Sequence, residues 1–451
     1  MKRTICAVLL LSFGLNMTIA AENDSKKNYE NILINNVESK GPGVAVIISQ
    51  NGKVLYKGAR GLANIEHNIA LTTDSVFRLG SITKQFTAAA IMILQEQNKL
   101  SVSDNIHKYV PEFPTEGQVV TIEHLLTHTS GIANYTEDEN IWNNLIPTAT
   151  TLDDMLKEFA KHPMPLKTGE AMRYSNTGYV LLGKIIEVAS GESYADFVEQ
   201  HIFAKLGMKN SQYGGTQLIT NRANGYSRSE HGYVNADPIN MMWPHAAGSL
   251  LSTVDDLNIW FYALRNGTLI SKDSYQQMVS EFELNDKSMS DYGYGLGLFK
   301  VNKFDAIGHG GGIHGFVTNA LYIPEEDLYI AVLNNNDSGN PQNLALLLAA
   351  KALNIDIPEF KAIDLSEEKI KAMMGTYSVN SESQRTLSFE SGSVYSQRDD
   401  GHKWLIKPMS DNSFYYEGSL SYFYIDKNDK DQQVMNFYSN LSTTADVAIK
   451  N

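Results

Sequence analysis

Three short groups of residues in this chain combine side-chain types and spacings that suit nucleophilic catalysis. The first pairs Ser81 with Lys84, the second begins at Tyr174, and the third is His309 followed by two glycines. A serine hydroxyl is a weak nucleophile until a neighbouring base takes its proton, and lysine and tyrosine can both act as such a base. Together the three groups predict a serine enzyme that transfers acyl groups.

The pair Ser81 and Lys84 requires a helix, because residues three apart then lie on one helix face. Residues 81–94 contain no glycine or proline, and their apolar side chains cover most of the surface, which predicts a buried helix. Burying a lysine is costly unless its ammonium is paired or deprotonated. We therefore expect a Lys84 that is shifted towards the neutral amine and can activate Ser81.

Each group is weak when it is taken alone. A second Ser-x-x-Lys runs from Ser366 to Lys369, and four Tyr-x-Asn triplets occur, whereas His-x-Gly occurs once. Two glutamates separate Ser366 from Lys369, so we interpret Ser366 as the N-cap of an exposed helix. Each candidate also has a purely structural interpretation: Ser81 as an N-cap, Tyr174 as a core tyrosine and His309 as a loop histidine.

Longer stretches around these residues carry a resemblance to a known family. They are FRLGSITKQFT at 77–87, LLTHTSGI at 125–132 and GSLLSTVDDL at 248–257. In this order they resemble the landmarks of the class C β-lactamase and D-alanyl-D-alanine peptidase superfamily of serine hydrolases, over roughly residues 30 to 355. The third motif of that superfamily is Lys-Thr-Gly or a His-x-Gly variant, and this chain has the variant.

The resemblance implies a role for each candidate. Ser81 is the nucleophile that forms an acyl-enzyme, and Lys84 and Tyr174 share the proton transfers. Since an unperturbed phenol is protonated at neutral pH, we expect a cationic Lys84 to favour the phenolate form of Tyr174. Asn176 offers an amide donor and an acceptor to a substrate amide.

The glycine-rich third group is expected to bind substrate backbone. His309, Gly310 and Gly311 are the predicted substrate-binding residues there, because a strand without side chains allows close approach. The backbone N–H groups of Ser81 and, by the resemblance, of Gly312 are the predicted oxyanion donors.

His309 stands where the β-lactamases of the superfamily have a lysine that faces the drug carboxylate. An imidazole is mostly neutral at pH 7, so penicillin hydrolysis ranks below hydrolysis of peptides, amides or esters. The expected activity is that of a D-amino-acid peptidase or DD-carboxypeptidase-like enzyme. Alternatives are an esterase or β-lactamase of the same fold and, in another class, a non-hydrolytic protein that binds penicillin or muropeptides.

Other chemistries find less support in the sequence. His124 and His128 have the spacing of a zinc pair on a helix, but no His-Glu-x-x-His motif accompanies them, so we expect neither metal nor cofactor. The resemblance makes His128 part of a structural turn. The Gly-x-Ser-x-Gly elbow of α/β-hydrolases is absent from the sequence. A formal charge of −14 argues against nucleic acid and anionic membranes as partners. It leaves a small-molecule or peptide substrate, a class that includes fragments of the cell wall.

The first 20 residues are predicted to be a signal peptide. Lys2 and Arg3 precede an apolar run, and small residues follow at 18–20. We expect cleavage, a secreted or periplasmic protein, and no stable membrane span afterwards. An uncleaved anchor is the alternative. Cys6, the single cysteine, would leave with this segment, and the oligomeric state stays open.

Two domains are predicted to follow. Residues 22–356 should form an α/β (α+β sandwich) hydrolase domain, in which strands at both ends of the segment share an antiparallel sheet and a helical lobe lies between them. Asn51 and Gly52 predict a type I′ hairpin near its start, and a glycine-rich stretch around His309 separates two strand-like runs. Residues 366–451 hold short aromatic strands and predict a small all-β barrel that resembles lipocalin-like appended domains.

Overall fold

The computed structural model describes residues 26–379 and 383–451, so the predicted signal peptide lies outside the described residues. Contacts divide the described chain into two compact units. The first contains the residues up to Phe299 together with Ala306–Ala345, and the second contains Lys300–Asp305 and Leu346–Asn451.

A six-stranded antiparallel sheet forms the base of the first unit. In spatial order its strands are Gly297–Val301, Phe304–Ile313, Phe316–Ile323, Leu328–Asn334, Val44–Gln50 and Lys53–Arg60. The hairpin at the start of the domain therefore pairs with a strand from its far end, as predicted. Asn51 and Gly52 both have positive φ, 51° and 74°, which agrees with the predicted type I′ turn.

The glycine-rich stretch around His309 is itself a strand. It was expected to present strand backbone to the substrate, and Phe304–Ile313 is a continuous strand of ten residues. Residues 307–313 pair in register with 316–322 across a two-residue turn at His314 and Gly315. Glycines have a low strand propensity, but this pairing and the close contacts described below hold the segment extended.

Helices of the first unit form the lobe that covers this sheet. They are residues 26–36, Thr83–Glu96, Ile122–Leu126, Leu152–Phe159, Asn176–Ser190, Tyr194–Val198, Ala204–Leu206, His245–Gly248, Val254–Arg265 and Lys272–Met278, and Pro341–Leu353 closes the segment. Short strands between them are Leu62–Asn64, Ile69–Ala70, Phe77–Arg78, Gln212–Tyr213, Tyr226–Ser229, Gly232–Asn235, Leu250–Ser252, Phe282–Glu283 and Met289–Ser290.

Two of these helices form the centre of the lobe. Every side chain from Thr83 to Leu94 is buried, as the sequence predicts for an apolar helix, and Phe86 stacks on Trp260 with 3.9 Å between ring centroids. The helix Asn176–Ser190 begins because the hydroxyl of its N-cap, Ser175, accepts the Gly178 N–H.

The second unit contains a closed eight-stranded barrel, which confirms the predicted all-β fold. Its strands are Gly375–Ser378, Gln384–Glu390, Ser393–Arg398, Lys403–Ser410, Ser413–Tyr416, Tyr422–Lys427, Gln433–Tyr438 and Asp446–Lys450. The first and last strands pair with each other, and neither carried a clear sequence pattern. Large apolar side chains such as Tyr377, Phe414, Phe423 and Met435 are buried together, so aromatics here form packed core.

A helix, Glu367–Met373, precedes the barrel. The Ser366 hydroxyl accepts the Lys369 N–H at its start, which confirms the predicted N-cap and removes this Ser-x-x-Lys copy as a rival site. Among the residues the structure describes, no helix combines the length and the apolar character needed to cross a membrane.

Candidate active site

Ser81 lies in a single 3-10 turn, Gly80–Ile82, that leads into the helix Thr83–Glu96. Gly80 has φ +54°, and a Cβ placed on it would come within 2.8 Å of the Gly312 nitrogen. The turn that carries Ser81 therefore packs directly on the backbone of strand Phe304–Ile313. Only glycine meets both the dihedral angle and the spacing at residue 80.

Gly311 makes the second close approach between the turn and the strand. A Cβ there would lie 2.0 Å from the Leu79 carbonyl oxygen and 2.3 Å from Thr318 Oγ1. Gly310 and Gly312 face the other way, with ordinary contact or open space at the corresponding positions. The alternation matches a strand with one face on the turn and the other face open.

The backbone groups of Gly310 and Gly312 point to a free strand edge. Phe304 and Ile313 each border a two-residue hairpin turn, so odd-numbered residues pair with strand Phe316–Ile323 and even-numbered residues face the opposite side. On that side the strand Gly297–Val301 reaches only as far as Gly308. Within the described ranges no strand covers the edge beyond it, which suits the predicted role of Gly312 as an N–H donor.

Lys84 is fully buried and lies beside Ser81. Its Nζ is 3.0 Å from Ser81 Oγ, 2.8 Å from Asn176 Oδ1 and 2.9 Å from the Ala247 carbonyl oxygen. A neutral amine has two N–H donors and one lone pair. The two donors match the Asn176 and Ala247 oxygens, and the lone pair is left for the hydroxyl proton of Ser81.

Burial also moves the pKa of Lys84 in the direction that catalysis needs. Desolvation disfavours the ammonium and lowers the pKa of Lys84 well below its usual value. The expected shift towards the neutral amine therefore agrees with the structure. A neutral Lys84 at hydrogen-bond distance from Ser81 is suited to act as a general base.

Tyr174 lies against Lys84, but not in the way that the phenolate expectation requires. Lys84 Nζ is over the face of the Tyr174 ring, 4.8 Å from its centroid. Burial raises the pKa of Tyr174 well above its usual value, and an interaction with the Ser81 hydroxyl offsets only part of the rise. The expected phenolate is therefore wrong for this state, because the same burial favours the neutral forms of Tyr174 and Lys84.

Asn176 is the first residue of its helix and turns its side chain towards Lys84. Besides the contact of its Oδ1 with Lys84, its Nδ2 donates to Asn134 Oδ1 at 3.3 Å and to Thr136 Oγ1 at 3.4 Å. These contacts fix which end of the amide faces Lys84. The predicted role of Asn176 in binding a substrate amide stays a prediction, since both ends of the amide contact protein here.

His309 is held as a neutral imidazole. Its Nδ1 donates to the Gly310 carbonyl oxygen, and its Nε2 lies 2.7 Å from the Tyr292 hydroxyl. Burial lowers the pKa of His309 to about 4. Nε2 then accepts from Tyr292, and His309 has no positive charge at neutral pH, as the sequence predicts.

His128 positions the segment that carries Tyr174. Its carbonyl oxygen accepts the Arg173 N–H at 2.8 Å, and its Nδ1 accepts the Ser175 N–H at 3.1 Å. Its ring centroid lies 4.2 Å from that of Tyr174. The sequence placed His128 in a structural turn, and the LLTHTSGI landmark was the only signal that its side chain also shapes the site.

Tyr292 and Tyr179 complete the aromatic wall, and sequence reasoning missed both. Tyr292 joins His309 to His128, whose ring centroid is 4.7 Å away, and the Tyr179 ring lies 5.3 Å from Lys84 Nζ. Burial raises the pKa of both phenols well above the usual range. These rings exclude water from Lys84, and no short motif marks them.

The structure gives no support to His124 and His128 as a pair of zinc ligands. His124 Nδ1 instead contacts the Thr121 backbone N–H at 3.1 Å and caps its helix. The part of the chain that the structure describes contains no group of three or more His, Cys, Asp or Glu side chains with metal-binding geometry.

Known proteins share both the sequence and the fold. The profile of the Beta-lactamase family matches residues 29–354. Penicillin-binding protein 4* of Bacillus subtilis is 32% identical over 334 residues, which span 70% of this chain and 73% of that protein. The matched Staphylococcus aureus relatives named protein flp are longer, and this chain spans 64% of their length.

Two solved structures extend the comparison. An octameric penicillin-binding protein homologue from Pyrococcus abyssi superposes with a TM-score of 0.67 and 27% identity, over 95% of this chain and 99% of that one. A D-stereospecific amidohydrolase from Streptomyces sp. gives a TM-score of 0.62 and 26% identity, over 72% of this chain and 98% of that one. With the profile match, these similarities establish that the chain belongs to the Beta-lactamase family and is a serine hydrolase of the group related to penicillin-binding proteins.

Proposed function

We propose that this protein hydrolyses amide or peptide bonds of D-amino-acid residues through an acyl-enzyme on Ser81. The observation that carries the proposal is the buried Lys84, whose Nζ lies 3.0 Å from Ser81 Oγ and whose pKa is held low by desolvation. The choice of amide substrates is supported by the neutral His309 and by similarity to a D-stereospecific amidohydrolase.

The residues suggest a simple sequence of proton transfers. Lys84 takes the hydroxyl proton as Ser81 Oγ attacks the carbonyl carbon. The oxyanion that forms accepts hydrogen bonds from the backbone N–H groups of Ser81 and Gly312. Tyr174, a protonated phenol beside Ser81, then donates a proton to the departing amine, and the proton on Lys84 restores the phenol. Water repeats the attack on the acyl-enzyme with the same groups in reverse roles.

His309 shapes the choice among related substrates. An uncharged imidazole offers a substrate carboxylate a hydrogen-bonding partner but no ion pair, so substrates that depend on a cation at this position are disfavoured. We therefore rank D-peptides and D-amino-acid amides first and esters next. β-Lactams rank last as substrates. If Ser81 were acylated by penicillin and the penicilloyl group were released slowly, the protein would behave as a penicillin-binding protein.

A serine-directed probe tests the nucleophile before any substrate is known. We expect a fluorophosphonate to label Ser81, with the labelled peptide read by mass spectrometry, and we expect Lys84→Ala to lose the label. Ser366→Ala is the matched control, because it removes the serine of the second Ser-x-x-Lys and should label normally. A folded protein without label on Ser81 would contradict the proposal.

A matched panel then tests the substrate class. It pairs D-alanyl-D-alanine peptides and D-amino-acid amides with their L isomers, and adds an acyl ester and a chromogenic cephalosporin. We expect turnover of the D isomers to exceed that of the L isomers. Faster turnover of the ester or the cephalosporin would favour the alternative activities, and stable acylation without turnover would favour a binding protein.

We also propose export of the protein, on the basis of residues 1–20 alone. Expression with and without these residues, followed by fractionation and N-terminal sequencing of the exported form, tests it. An intact N-terminus on a protein retained in the cytoplasm would count against export.

A further inference from the structure

A polar cavity lies in the first unit, close to the Ser81 turn. Its volume is about 170 Å³, and the side chains that matter here are Arg78, Arg222, Asn224, Asn235, Asp237 and His314. Nothing in the predicted mechanism uses these residues.

Arg78 and Arg222 both line this cavity, and Arg222 is near enough for its charge to act on Arg78. Arg78 makes one long side-chain hydrogen bond, from Nη1 to the His314 carbonyl oxygen at 3.5 Å, and its guanidinium lies 5.7 Å from the Phe316 ring centroid. Among the described residues, the structure shows no ion pair for Arg78 or for Arg222. Asp237, on the cavity wall, is exposed and pairs with neither of them.

An anion in the cavity would satisfy donors of Arg78 that the protein leaves open. A guanidinium has five N–H donors, and like charges at close range destabilise each other. Burial, together with the charge of Arg222, lowers the pKa of Arg78 to about 10. Two arginines at one cavity, with no ion pair to either among the described residues, are suited to a ligand that supplies the negative charge.

The chain path places this cavity beside the reacting centre. Arg78 precedes Ser81 by three residues, and His314 is the first turn residue after the strand Phe304–Ile313, two residues beyond Gly312. The free strand edge at Gly310 and Gly312 leads towards the His314 turn. A group attached to a substrate that pairs with this edge can therefore reach the cavity.

We propose that Arg78 and Arg222 form a binding site for an oxyanion, and that a carboxylate of the substrate occupies it during turnover. A carboxylate and inorganic phosphate each present two oxygens that can accept a pair of N–H donors from one guanidinium group. The occupation by substrate rests on the proposed hydrolase function. The binding of an oxyanion does not, so the two statements are tested separately.

Direct binding is measured on the full-length protein with inorganic phosphate and with succinate, by calorimetry at constant ionic strength. The test variant is Arg222→Gln, since that side chain is exposed and holds no described side-chain contact. Arg228→Gln is the matched control, an exposed arginine on the neighbouring strand Tyr226–Ser229 outside the cavity. We expect Arg222→Gln to weaken binding by about tenfold or more and Arg228→Gln to leave it unchanged.

Occupation by substrate is measured with two anilides of nearly equal size that differ in charge, N-succinyl-D-alanine p-nitroanilide and its N-succinamoyl analogue, in which a neutral amide replaces the carboxylate. We expect the wild type to prefer the succinyl compound in kcat/KM and Arg222→Gln to lose about tenfold of that preference. Equal changes for both compounds would overturn the substrate statement, as would phosphate binding with no preference between the anilides.

The binding assay keeps its meaning if neither anilide is turned over, an outcome that would count against the hydrolase proposal alone. Absence of binding of both anions, or equal binding by all three proteins, would overturn the oxyanion site.

Discussion

Replacing Gly311 with alanine tests whether the strand and the Ser81 turn must remain in contact. The added Cβ would lie 2.0 Å from the Leu79 carbonyl oxygen, whereas real Cβ atoms essentially never approach another atom within 3.0 Å. The strand or the turn must therefore move by about 1 Å. Both contacted atoms belong to the frame of the site, since Thr318 Oγ1 also donates to the Leu79 oxygen at 2.7 Å.

A movement of this size separates the two predicted oxyanion donors, Ser81 N–H and Gly312 N–H. Misplacement by about 1 Å costs on the order of 100-fold in rate, and overpacking costs about 1–3 kcal/mol in stability. The rate of fluorophosphonate labelling at Ser81 measures the first effect without a known substrate, because the phosphoryl oxygen must occupy the oxyanion site. Thermal unfolding measures the second.

Gly310→Ala is the matched control from the same strand. Its Cβ would make only an ordinary contact, 3.6 Å from the Thr318 carbonyl oxygen, on the opposite face. We expect its unfolding temperature to remain near that of the wild type and its labelling rate to fall less than that of Gly311→Ala, because its Cβ lies on the open face and leaves the contact with the Ser81 turn in place. Labelling of Gly311→Ala at the wild-type rate would refute the reasoning, as would equal losses in the two variants.

Three further predictions follow from the neutral state of the site. Because burial lowers the pKa of Lys84 in the folded protein while the unfolded chain keeps a value of about 10.4, the unfolded state binds the extra proton, and stability should rise with pH. In urea titrations from about pH 7 to about pH 10, the free energy of unfolding of the wild type should increase relative to that of Lys84→Met. A difference between the two proteins that stays constant with pH would contradict a lowered pKa of Lys84. Tyr174→Phe should keep the fold, since the ring contacts remain, yet lose about 100-fold or more in kcat/KM through the missing phenolic proton, whereas undiminished turnover would exclude Tyr174 from proton transfer. His309→Lys should place a cation beside the substrate edge and raise acylation by a fluorescent penicillin about tenfold, and an unchanged acylation rate would show that the charge at residue 309 does not limit this reaction.

Much of the fold could be predicted because its signals are local. The helix around Lys84 is apolar over its whole length, and the hairpin at Asn51 has a turn pair with a known backbone preference. The barrel was recognised from evenly spaced aromatic strands. Its first and last strands, Gly375–Ser378 and Asp446–Lys450, were missed because they are short and lack an aromatic pattern, and each is held extended by pairing with the strands on both sides of it.

The chemistry of the site was harder to predict than the order of its motifs. The motif pattern correctly suggested a neutral Lys84, because a lysine inside an apolar helix allows few other states. It did not show that Tyr174 would also be protonated, since that depends on burial by rings from distant segments such as Tyr292. Nor could it show that His128 holds Ser175, because that contact joins two loops 47 residues apart.

The order of the sheet also has a consequence for the timing of assembly. Ser81 and Lys84 are made early in synthesis, but the strand that supplies Gly312 follows more than 200 residues later and docks only between its own hairpin partners. A growing chain therefore has a serine next to a lysine long before it has an oxyanion site. Contacts between segments this far apart in the sequence form late in folding, so Ser81 lacks its second oxyanion donor until the strand has docked on the turn.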